Sequence, residues 1–292
     1  MTPTFQAVLW MSGSVVSFTA MAIAGRAVSL DLDTFEIMFY RSVIGFVIVV
    51  VALTVTRSHA QVTRRRMGLH ALRNLSHFTG QNLWFFAVAS IPLAQVFALE
   101  FTSPLWVILI SPLVLGERIT GARAFAAAVG FIGILVVARP SPETLSPGLL
   151  AAAGAAVGFA GSAVFTRRLT RTETTACILF WLTLMQAGFG LVCAGFDGDI
   201  ALPSAQSWPF VAVIALAGLI AHFCLTTALR LAPATVVIPI DFTRLPLAAL
   251  LGIALYSEKP DPFVFLGALI IFGANYVNIL KETRRKPATP AS

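Results

Sequence analysis

The sequence has few of the charged residues that a water-soluble surface requires. Only 11% of its 292 residues are Asp, Glu, Lys or Arg, whereas 58% are hydrophobic. An average soluble domain carries about 25% charged residues. The chain therefore cannot cover a folded domain with well-solvated groups, and we predict an integral membrane protein. Its net charge of +7 lies in short segments between apolar runs, a pattern that sets membrane orientation, so we expect no nucleic-acid partner.

Motifs for enzymatic chemistry and for cofactor binding are also missing. The chain has no G-x-x-x-x-G-K-[ST] phosphate loop, no H-E-x-x-H zinc motif and no G-x-S-x-G elbow. Its three cysteines, Cys177, Cys193 and Cys224, lie singly inside apolar runs and are interpreted as small hydrophobic residues. We therefore expect no cofactor, no metal ion and no enzyme activity. A membrane-embedded enzyme that acts on lipids is a disfavoured alternative.

Apolar windows long enough to cross a bilayer follow one another along the chain. A helix needs about 20 apolar residues to cross about 30 Å of hydrocarbon, and only helices satisfy their own backbone groups there. The windows fall near 5–25, 35–56, 70–90, 94–115, 121–138, 147–166, 175–195, 209–229, 234–256 and 263–280. The first window has no basic segment before it, so we interpret it as a retained span. The sequence predicts an all-α protein with ten transmembrane helices.

The two halves of the chain resemble each other. Residues 89–118 and 230–259 match at a shift of about 141 positions, which indicates an internal duplication. The matches pair Pro92 with Pro233, Glu100-Phe101-Thr102 with Asp241-Phe242-Thr243, Glu117 with Glu258, Phe18 with Phe159 and Arg26 with Arg167. We predict one five-helix repeat at 1–140, a second at 141–281, and a cytoplasmic tail at 282–292.

Basic residues fall mainly on one side of this predicted bundle. With the N-terminus inside, the cytoplasmic segments hold most of the Arg and Lys residues, and the opposite side holds only Arg26, Arg139 and Lys259. This bias places both termini in the cytoplasm. Five spans per repeat make the second repeat cross the membrane in the opposite sense. Inverted repeats of this kind are typical of secondary transporters.

Ionisable side chains inside apolar windows cost about 2.5–3.5 kcal/mol or more unless they face a cavity or a partner. Glu100 and Asp241 lie about 10 Å in from opposite membrane faces, one in each half of the predicted pathway. Arg244 follows Asp241 by one helical turn. Two interpretations remain open: an ion pair between them, or a guanidinium fork that holds a substrate carboxylate while Glu100 or Asp241 receives its ammonium group.

The third window carries His77, Gln81 and Trp84 on one helical face, which predicts that this face lines the interior. A helix–helix hydrogen bond is the alternative for His77, and plain packing is the alternative for the aromatic residues. The predicted substrate-binding residues are Tyr40, His77, Gln81, Trp84, Glu100, Ser103, Trp106, Trp181, His222, Asp241 and Arg244.

Prolines inside the fourth and ninth windows remove backbone hydrogen bonds and predict kinks at matching places in the two repeats. Such kinks are typical of binding sites and gates, although kinks without a function are the alternative. Arg41 could form a structural or gating pair with Glu36. The predicted gating or hinge residues are Arg41, Pro104, Pro112, Pro239 and Pro246.

Ten spans in two inverted halves, the E-F-T/D-F-T repeat and Gly116-Glu117-Arg118 at the end of the fourth span resemble the drug/metabolite transporter superfamily, in its ten-helix EamA-type branch. Within that branch the overall pattern is similar to bacterial aromatic amino acid exporters of the YddG type. The resemblance covers the whole chain. It implies export of aromatic and other neutral amino acids across the bacterial inner membrane, with spans 121–138 and 263–280 packed outside the central cavity. It transfers no functional residue to this sequence.

We therefore predict a secondary transporter that exports amino acids, preferably aromatic and other neutral ones, by alternating access through a central cavity. An exporter of flat toxic cations with the same fold, using Glu100 and Asp241 as counter-ions, is the alternative. Amino acids and the lipid bilayer are the predicted partners. Proton coupling, net direction and oligomeric state stay open at this point.

Overall fold

The computed structural model describes residues 2–116, 119–139, 141, 144–196, 198–232, 237 and 240–284. Within these ranges the chain forms α-helices and one short 3-10 helix, His59–Gln61, without any β-strand. The helices are α1 Pro3–Val28, α2 Thr34–Val55, α3 Met67–Ser90, α4 Leu93–Glu100, α5 Ser103–Leu115, α6 Gly121–Ala138, α7 Pro147–Leu169, α8 Thr175–Ala194, α9 Trp208–Leu231, α10 Arg244–Tyr256 and α11 Pro262–Arg284. The predicted all-α class is therefore confirmed for the described residues.

Seven helical stretches of the described chain are long and apolar enough to cross a membrane. They are Pro3–Val28, Thr34–Val55, Leu93–Leu115, Pro147–Leu169, Thr175–Ala194, Trp208–Leu229 and Pro262–Lys281. Helices α6 and α10 are apolar but shorter. Helix α3 is long but carries many buried polar residues, among them His70, Asn74 and Gln81, which lower its hydropathy. The protein is a multi-pass membrane protein, and its ten-span topology remains a prediction.

The fourth span is broken into two helices. Helix α4 ends at Glu100, Phe101 and Thr102 form a turn, and α5 begins at Ser103. The Thr102 hydroxyl donates to the carbonyl of Leu99 at 2.6 Å. Pro104 stands in the first turn of α5, where its missing N–H costs no helical hydrogen bond.

The second repeat has the same break. Residues 240 and 241 are helical, Phe242 and Thr243 form a turn, and α10 begins at Arg244. The Thr243 hydroxyl donates to the carbonyl of Ile240, again at 2.6 Å. The repeated Phe-Thr pair thus ends a helix in both halves by the same side-chain contact.

Helices of the two halves pair in a symmetric pattern. Helix α1 packs along α9, α3 along α7, α2 against α8, and α6 against α11. When the halves are exchanged, α1 takes the place of α7 and α9 the place of α3, so each pairing maps onto another pairing or onto itself. This pattern is the one expected for two duplicated halves related by a two-fold axis.

Glycines allow the closest of these helix contacts. A Cβ atom on Gly158 of α7 would lie 2.7 Å from the Cα atom of Gly80 on α3. A Cβ atom on Gly267 of α11 would lie 2.7 Å from the carbonyl oxygen of Gly133 on α6. Small residues permit such close backbone approach between membrane helices, and here they join one half of the chain to the other.

Candidate functional site

Arg244 is paired with both carboxylates that the sequence places at membrane depth. Its Nη1 lies 3.1 Å from Glu100 Oε1, its Nη2 donates to Asp241 Oδ2 at 3.0 Å, and its Nε lies 2.8 Å from Asp241 Oδ1. The Arg244 side chain is only 5% exposed. Trp84 Nε1 donates to the second Glu100 oxygen at 2.8 Å. We call Trp84, Glu100, Asp241 and Arg244 the paired centre.

Aromatic rings surround the cation of the paired centre. The Arg244 guanidinium carbon lies 4.8 Å from the Phe18 ring centroid, 5.3 Å from that of Phe97 and 4.9 Å from that of Phe101. Phe101 stacks on its repeat counterpart Phe242 with a centroid separation of 4.2 Å. Cation–π contacts stabilise a guanidinium in a dry environment. The paired centre therefore joins the two broken spans where the repeat-equivalent residues meet.

A second polar group is built around Arg41 of α2, which is half-buried. Its Nη1 donates to Gln81 Oε1 of α3 at 2.5 Å, and a Cβ atom on Gly218 of α9 would lie 3.2 Å from its Nη2. His77 lies one helical turn before Gln81 on α3, and His222 lies one turn after Gly218 on α9. We call Arg41, His77, Gln81 and His222 the Arg41 centre.

The Arg41 centre differs from the paired centre in its charge balance. In the described part of the chain, no carboxylate lies within ion-pair distance of Arg41. The neighbour of His77 is the hydroxyl of Ser162, 3.4 Å from Nδ1, and the nitrogens of His222 have no carboxylate partner in this part of the chain either. Among the described residues, the Arg41 centre is thus a cationic and hydrogen-bonding surface without a compensating acid.

Phe18 connects the two centres. Its ring packs edge-to-face on His222 with centroids 5.3 Å apart, and its face covers Arg244. His222 is exposed although it lies in the middle of α9. A polar ring exposed at that depth is expected to face a polar or water-filled interior, because lipid offers it no hydrogen bonds. Helices α1, α2, α3 and α9 therefore meet around a polar interior.

Ionic contacts close the bundle at one end. Arg26 of α1 pairs with Glu258 and also donates to the carbonyls of Val88 and Ile91. The backbone N–H of Leu93 donates to Glu258 Oε1 at 3.2 Å and to its Oε2 at 3.1 Å. This network, which we call the Arg26 latch, ties the first repeat to Glu258, two residues beyond the end of α10 in the second repeat.

Loops at the end where α1 terminates are fastened by further polar contacts. Asp33 and Glu36 form a capping box at the start of α2, and Glu36 Oε1 also accepts from the Ala201 N–H at 2.6 Å, so the predicted Arg41–Glu36 pair is not formed. Hydrogen bonds from Ser207 and Ser204 lower the pKa of the Asp31 carboxyl. These contacts join the loop after α1 to the segment before α9.

Three predicted binding residues lie away from both centres. Tyr40 donates to the Ala201 carbonyl at 2.8 Å. Trp106 packs on Phe131 of α6 at 5.0 Å, and Trp181 donates to the Thr63 carbonyl at 2.7 Å.

The remaining predicted residues lie at the breaks or in the helices that follow them. The Ser103 hydroxyl donates to the Glu100 carbonyl at 2.8 Å. Pro112 lies inside α5 and Pro246 in the first turn of α10. Pro239 lies outside the described residues.

Residue-level reasoning missed the aromatic shell of Arg244. Phe97 carries no signal in the sequence that separates it from the other phenylalanines, whereas Phe18 matches Phe159 in the internal repeat. Phe101 and Phe242 do carry one, because they belong to the repeated Phe-Thr pair. The internal repeat could therefore have identified the stacked pair.

The fold is typical of a membrane transporter, with two duplicated halves, a broken span in each and a polar interior. A family model described as the EamA-like transporter family matches the chain twice, at residues 5–139 and 146–280. The chain belongs to this family, within the drug/metabolite transporter superfamily. It is a transporter and not an enzyme.

Curated relatives carry several kinds of small molecule. A riboflavin transporter of Brucella anthropi is 32% identical over 82% of this chain and 85% of its own length. An S-adenosylmethionine uptake transporter of Rickettsia felis is 27% identical over 94% of this chain and 92% of its own. A pseudopaline exporter of Pseudomonas aeruginosa is 27% identical, covering 87% and 89%. These names do not support the narrower resemblance to aromatic amino acid exporters.

The fold also matches that of a protein solved by crystallography. The match has a TM-score of 0.64 at 20% sequence identity and covers 96% of this chain and 98% of the other. At that identity the likeness concerns the fold alone. It extends over both repeats.

Proposed function

We propose that this protein is a secondary transporter of the bacterial inner membrane that carries a flat, ring-bearing metabolite, with riboflavin as the first candidate. The polar edge of the substrate binds the Arg41 centre, and its ring packs beside Phe18 and His222. Access alternates between the two membrane faces. The observation that carries this proposal is the half-buried Arg41. It donates to the amide of Gln81 and has no carboxylate partner among the described residues.

The chemistry of the Arg41 centre suits the edge of a heteroaromatic ring. A guanidinium donates several N–H groups in a planar fork, and the Gln81 amide offers both a donor and an acceptor. The pyrimidine edge of a flavin alternates carbonyl acceptors with an N–H donor. Arg41 and Gln81 could pair with that edge without any new ionic partner. Flat rings also gain from stacking on aromatic side chains.

The relatives support the same class of substrate. Riboflavin and S-adenosylmethionine each carry a flat heteroaromatic ring system with polar groups attached, and proteins named for them resemble this chain over most of its length. Two riboflavin transporters, from Brucella anthropi and Rhizobium johnstonii, are 32% and 33% identical to it. Riboflavin is therefore the first candidate substrate, ahead of amino acids.

An aromatic amino acid is the second candidate. The observation in its favour is again Arg41, which could hold an amino acid carboxylate in a two-point contact. Arg244, the residue that the sequence suggested for this role, already has its fork filled by Asp241 and Glu100. A cationic drug is less well supported, since both of these carboxylates are compensated by Arg244.

Alternating access follows from the repeat. The Arg26 latch closes the end at which α1 terminates. Its two ionic members correspond in the other repeat to Arg167 and Glu117, which the inverted arrangement places at the opposite face; Glu117 lies outside the described residues. Two equivalent latches that form in turn would expose the Arg41 centre first to one face and then to the other.

Uptake into proteoliposomes tests the proposed function. Purified full-length protein is reconstituted, and initial uptake of labelled riboflavin, S-adenosylmethionine, tryptophan and threonine is measured with and without a pH gradient. We expect saturable riboflavin uptake, above that of protein-free vesicles. Tryptophan uptake without riboflavin uptake would indicate that the substrate is an aromatic amino acid, the second candidate. If monodisperse protein transports none of the ring-bearing compounds, the proposal is wrong.

A further inference from the structure

A buried cluster of metal-ligating side chains lies outside both centres. One ligand atom each from His70, Glu173 and Cys177 lies within 4.8 Å of the other two. His70 belongs to the first turn of α3, Glu173 to the loop before α8, and Cys177 to the first turn of α8. All three side chains are buried, with His70 0% exposed and Glu173 8% exposed. We call these residues the His-Glu-Cys cluster.

Several polar atoms of the cluster have no hydrogen-bond partner in the described part of the chain. These atoms are both ring nitrogens of His70 and Oε1 of Glu173. A buried polar group without a partner is destabilising, because it has lost its hydrogen bonds to water. An imidazole nitrogen, a carboxylate oxygen and a sulfur that lie this close together are arranged for a shared metal ion, which would bind one ring nitrogen of His70 together with the other two ligand atoms.

The remaining contacts hold the cluster in place. Thr63 donates its hydroxyl to Glu173 Oε2 at 2.7 Å and its backbone N–H to Cys177 Sγ at 3.4 Å. The hydrogen bond from Thr63 lowers the pKa of the Glu173 carboxyl. Arg73, which lies three residues after His70 on α3, donates to the side chains of Thr166 and Asn74. The cluster is therefore positioned before any ion binds.

We propose that His70, Glu173 and Cys177 bind a divalent transition-metal ion, with Zn²⁺ the best match. Zinc accepts the Cys, His and carboxylate ligands that are present here, at about 2.0–2.3 Å. Cys177 must lose its proton to the solvent on binding, since the thiolate is the ligand. The thiolate and the carboxylate then balance the two positive charges of the ion, which keeps the buried site neutral.

This site would join the two repeats at the end of the bundle opposite the Arg26 latch. His70 and the Thr63 loop belong to the first repeat, whereas Glu173 and Cys177 belong to the second. The sequence predicts no metal because these ligands are far apart along the chain and Cys177 stands alone in an apolar run. The folded chain brings them together through the packing of α2 and α3 against α8.

Metal binding to the untagged, full-length protein in detergent tests the site. Zn²⁺ affinity is measured by competition with a chromophoric chelator, and Co²⁺ is added separately as a spectroscopic probe. We expect one Zn²⁺ per chain, and a near-ultraviolet thiolate-to-cobalt absorption band. Cys177→Ser and His70→Gln should each weaken Zn²⁺ binding at least tenfold. Cys224→Ser and the exposed His59→Gln are matched controls that should bind as the wild type does.

The cobalt spectrum keeps the test valid even where a variant folds poorly, because it is recorded on the wild-type protein. A wild-type spectrum without a thiolate band would overturn the proposal. So would Zn²⁺ binding that is equal in the wild type and in well-folded Cys177→Ser and His70→Gln variants, which would indicate adventitious surface binding only.

Discussion

Arg41 and Arg244 are both arginines inside apolar helices, but their surroundings assign them different roles. Arg244 is 5% exposed, binds Glu100 and Asp241, and is covered by three phenylalanine rings. Arg41 is half-buried and binds the Gln81 amide without an acid in the described part of the chain. We therefore propose that Arg244 stabilises the fold and that Arg41 is available to a substrate.

Replacing Arg244 should destabilise the protein strongly. Arg244→Leu leaves two carboxylates in the interior without their cation, and removing one partner of a buried pair costs about 3–5 kcal/mol. The apparent melting temperature of the purified protein measures the loss. Arg64→Leu, which changes an exposed arginine, is the matched control and should melt with the wild type.

Neutralising the stranded acids should recover part of this loss. The combination Arg244→Leu with Glu100→Gln and Asp241→Asn removes the uncompensated charges and should melt above Arg244→Leu alone. If Arg244→Leu melted with the wild type, the paired centre would not be structural.

Single residues were predicted unevenly from the sequence. The Arg244–Asp241 pair could be foreseen, because one helical turn separates the two residues. Contacts between distant segments could not be foreseen. Trp181, a predicted substrate-binding residue, donates to the carbonyl of Thr63 in a loop that lies far from it in the sequence. The His-Glu-Cys cluster was missed for the same reason.

At the scale of helices, the crossing of α3 and α7 depends on glycine. A Cβ atom on Gly158 would have the Cα of Gly80, its N and the Ser76 carbonyl oxygen all within 2.9 Å. Gly158→Ala must separate the two helices, and overpacking of this kind costs about 1–3 kcal/mol. Thermal unfolding of the purified variant should show a lower melting temperature.

Gly188 of α8 provides the matched control, because a Cβ atom there meets nothing within 4 Å. Gly188→Ala should leave the melting temperature unchanged or raise it, since alanine favours a helix by up to about 1 kcal/mol. Equal melting temperatures for the two alanine variants would contradict the close crossing.

The sequence predicted most of the helices but not all of their properties. Apolar length located α1, α2, α7, α8, α9 and α11 well. Apolar length did not indicate that the fourth window divides at Phe101 and Thr102, because apolar residues continue on both sides of this pair, and only the prolines of the window predicted a kink there. Hydropathy also understates α3, because the buried polar face of this helix lowers its hydropathy although the helix packs inside the bundle.

At the scale of the molecule, the proposed alternating access requires a counterpart of the Arg26 latch in the other repeat, for which Arg167 and Glu117 are the matching residues. We predict that weakening each of the two latches opens a different face. In a cysteine-free background carrying His222→Cys, labelling by an impermeant maleimide reports access to the interior. Glu258→Gln should increase labelling from the face of the Arg26 latch, and Glu117→Gln should increase it from the opposite face.

Asp261→Asn is the control for the latch experiment. Asp261 pairs with Arg139 between α6 and α11. The Asp261 side chain is 30% exposed and the Arg139 side chain is 44% exposed. Its loss should change labelling from neither face. Equal effects of Glu258→Gln and Glu117→Gln on one face would contradict alternating latches.

Riboflavin counterflow is the most direct test of a carrier in which one binding site is open to each membrane face in turn. Proteoliposomes are preloaded with unlabelled riboflavin, and initial uptake of labelled riboflavin is compared with that of empty vesicles. We expect preloading to accelerate uptake several-fold with the wild-type protein and with the peripheral control Arg139→Gln, but not with Arg41→Gln. Riboflavin uptake that is unaffected by preloading, or that survives unchanged in Arg41→Gln, would contradict a carrier built around Arg41.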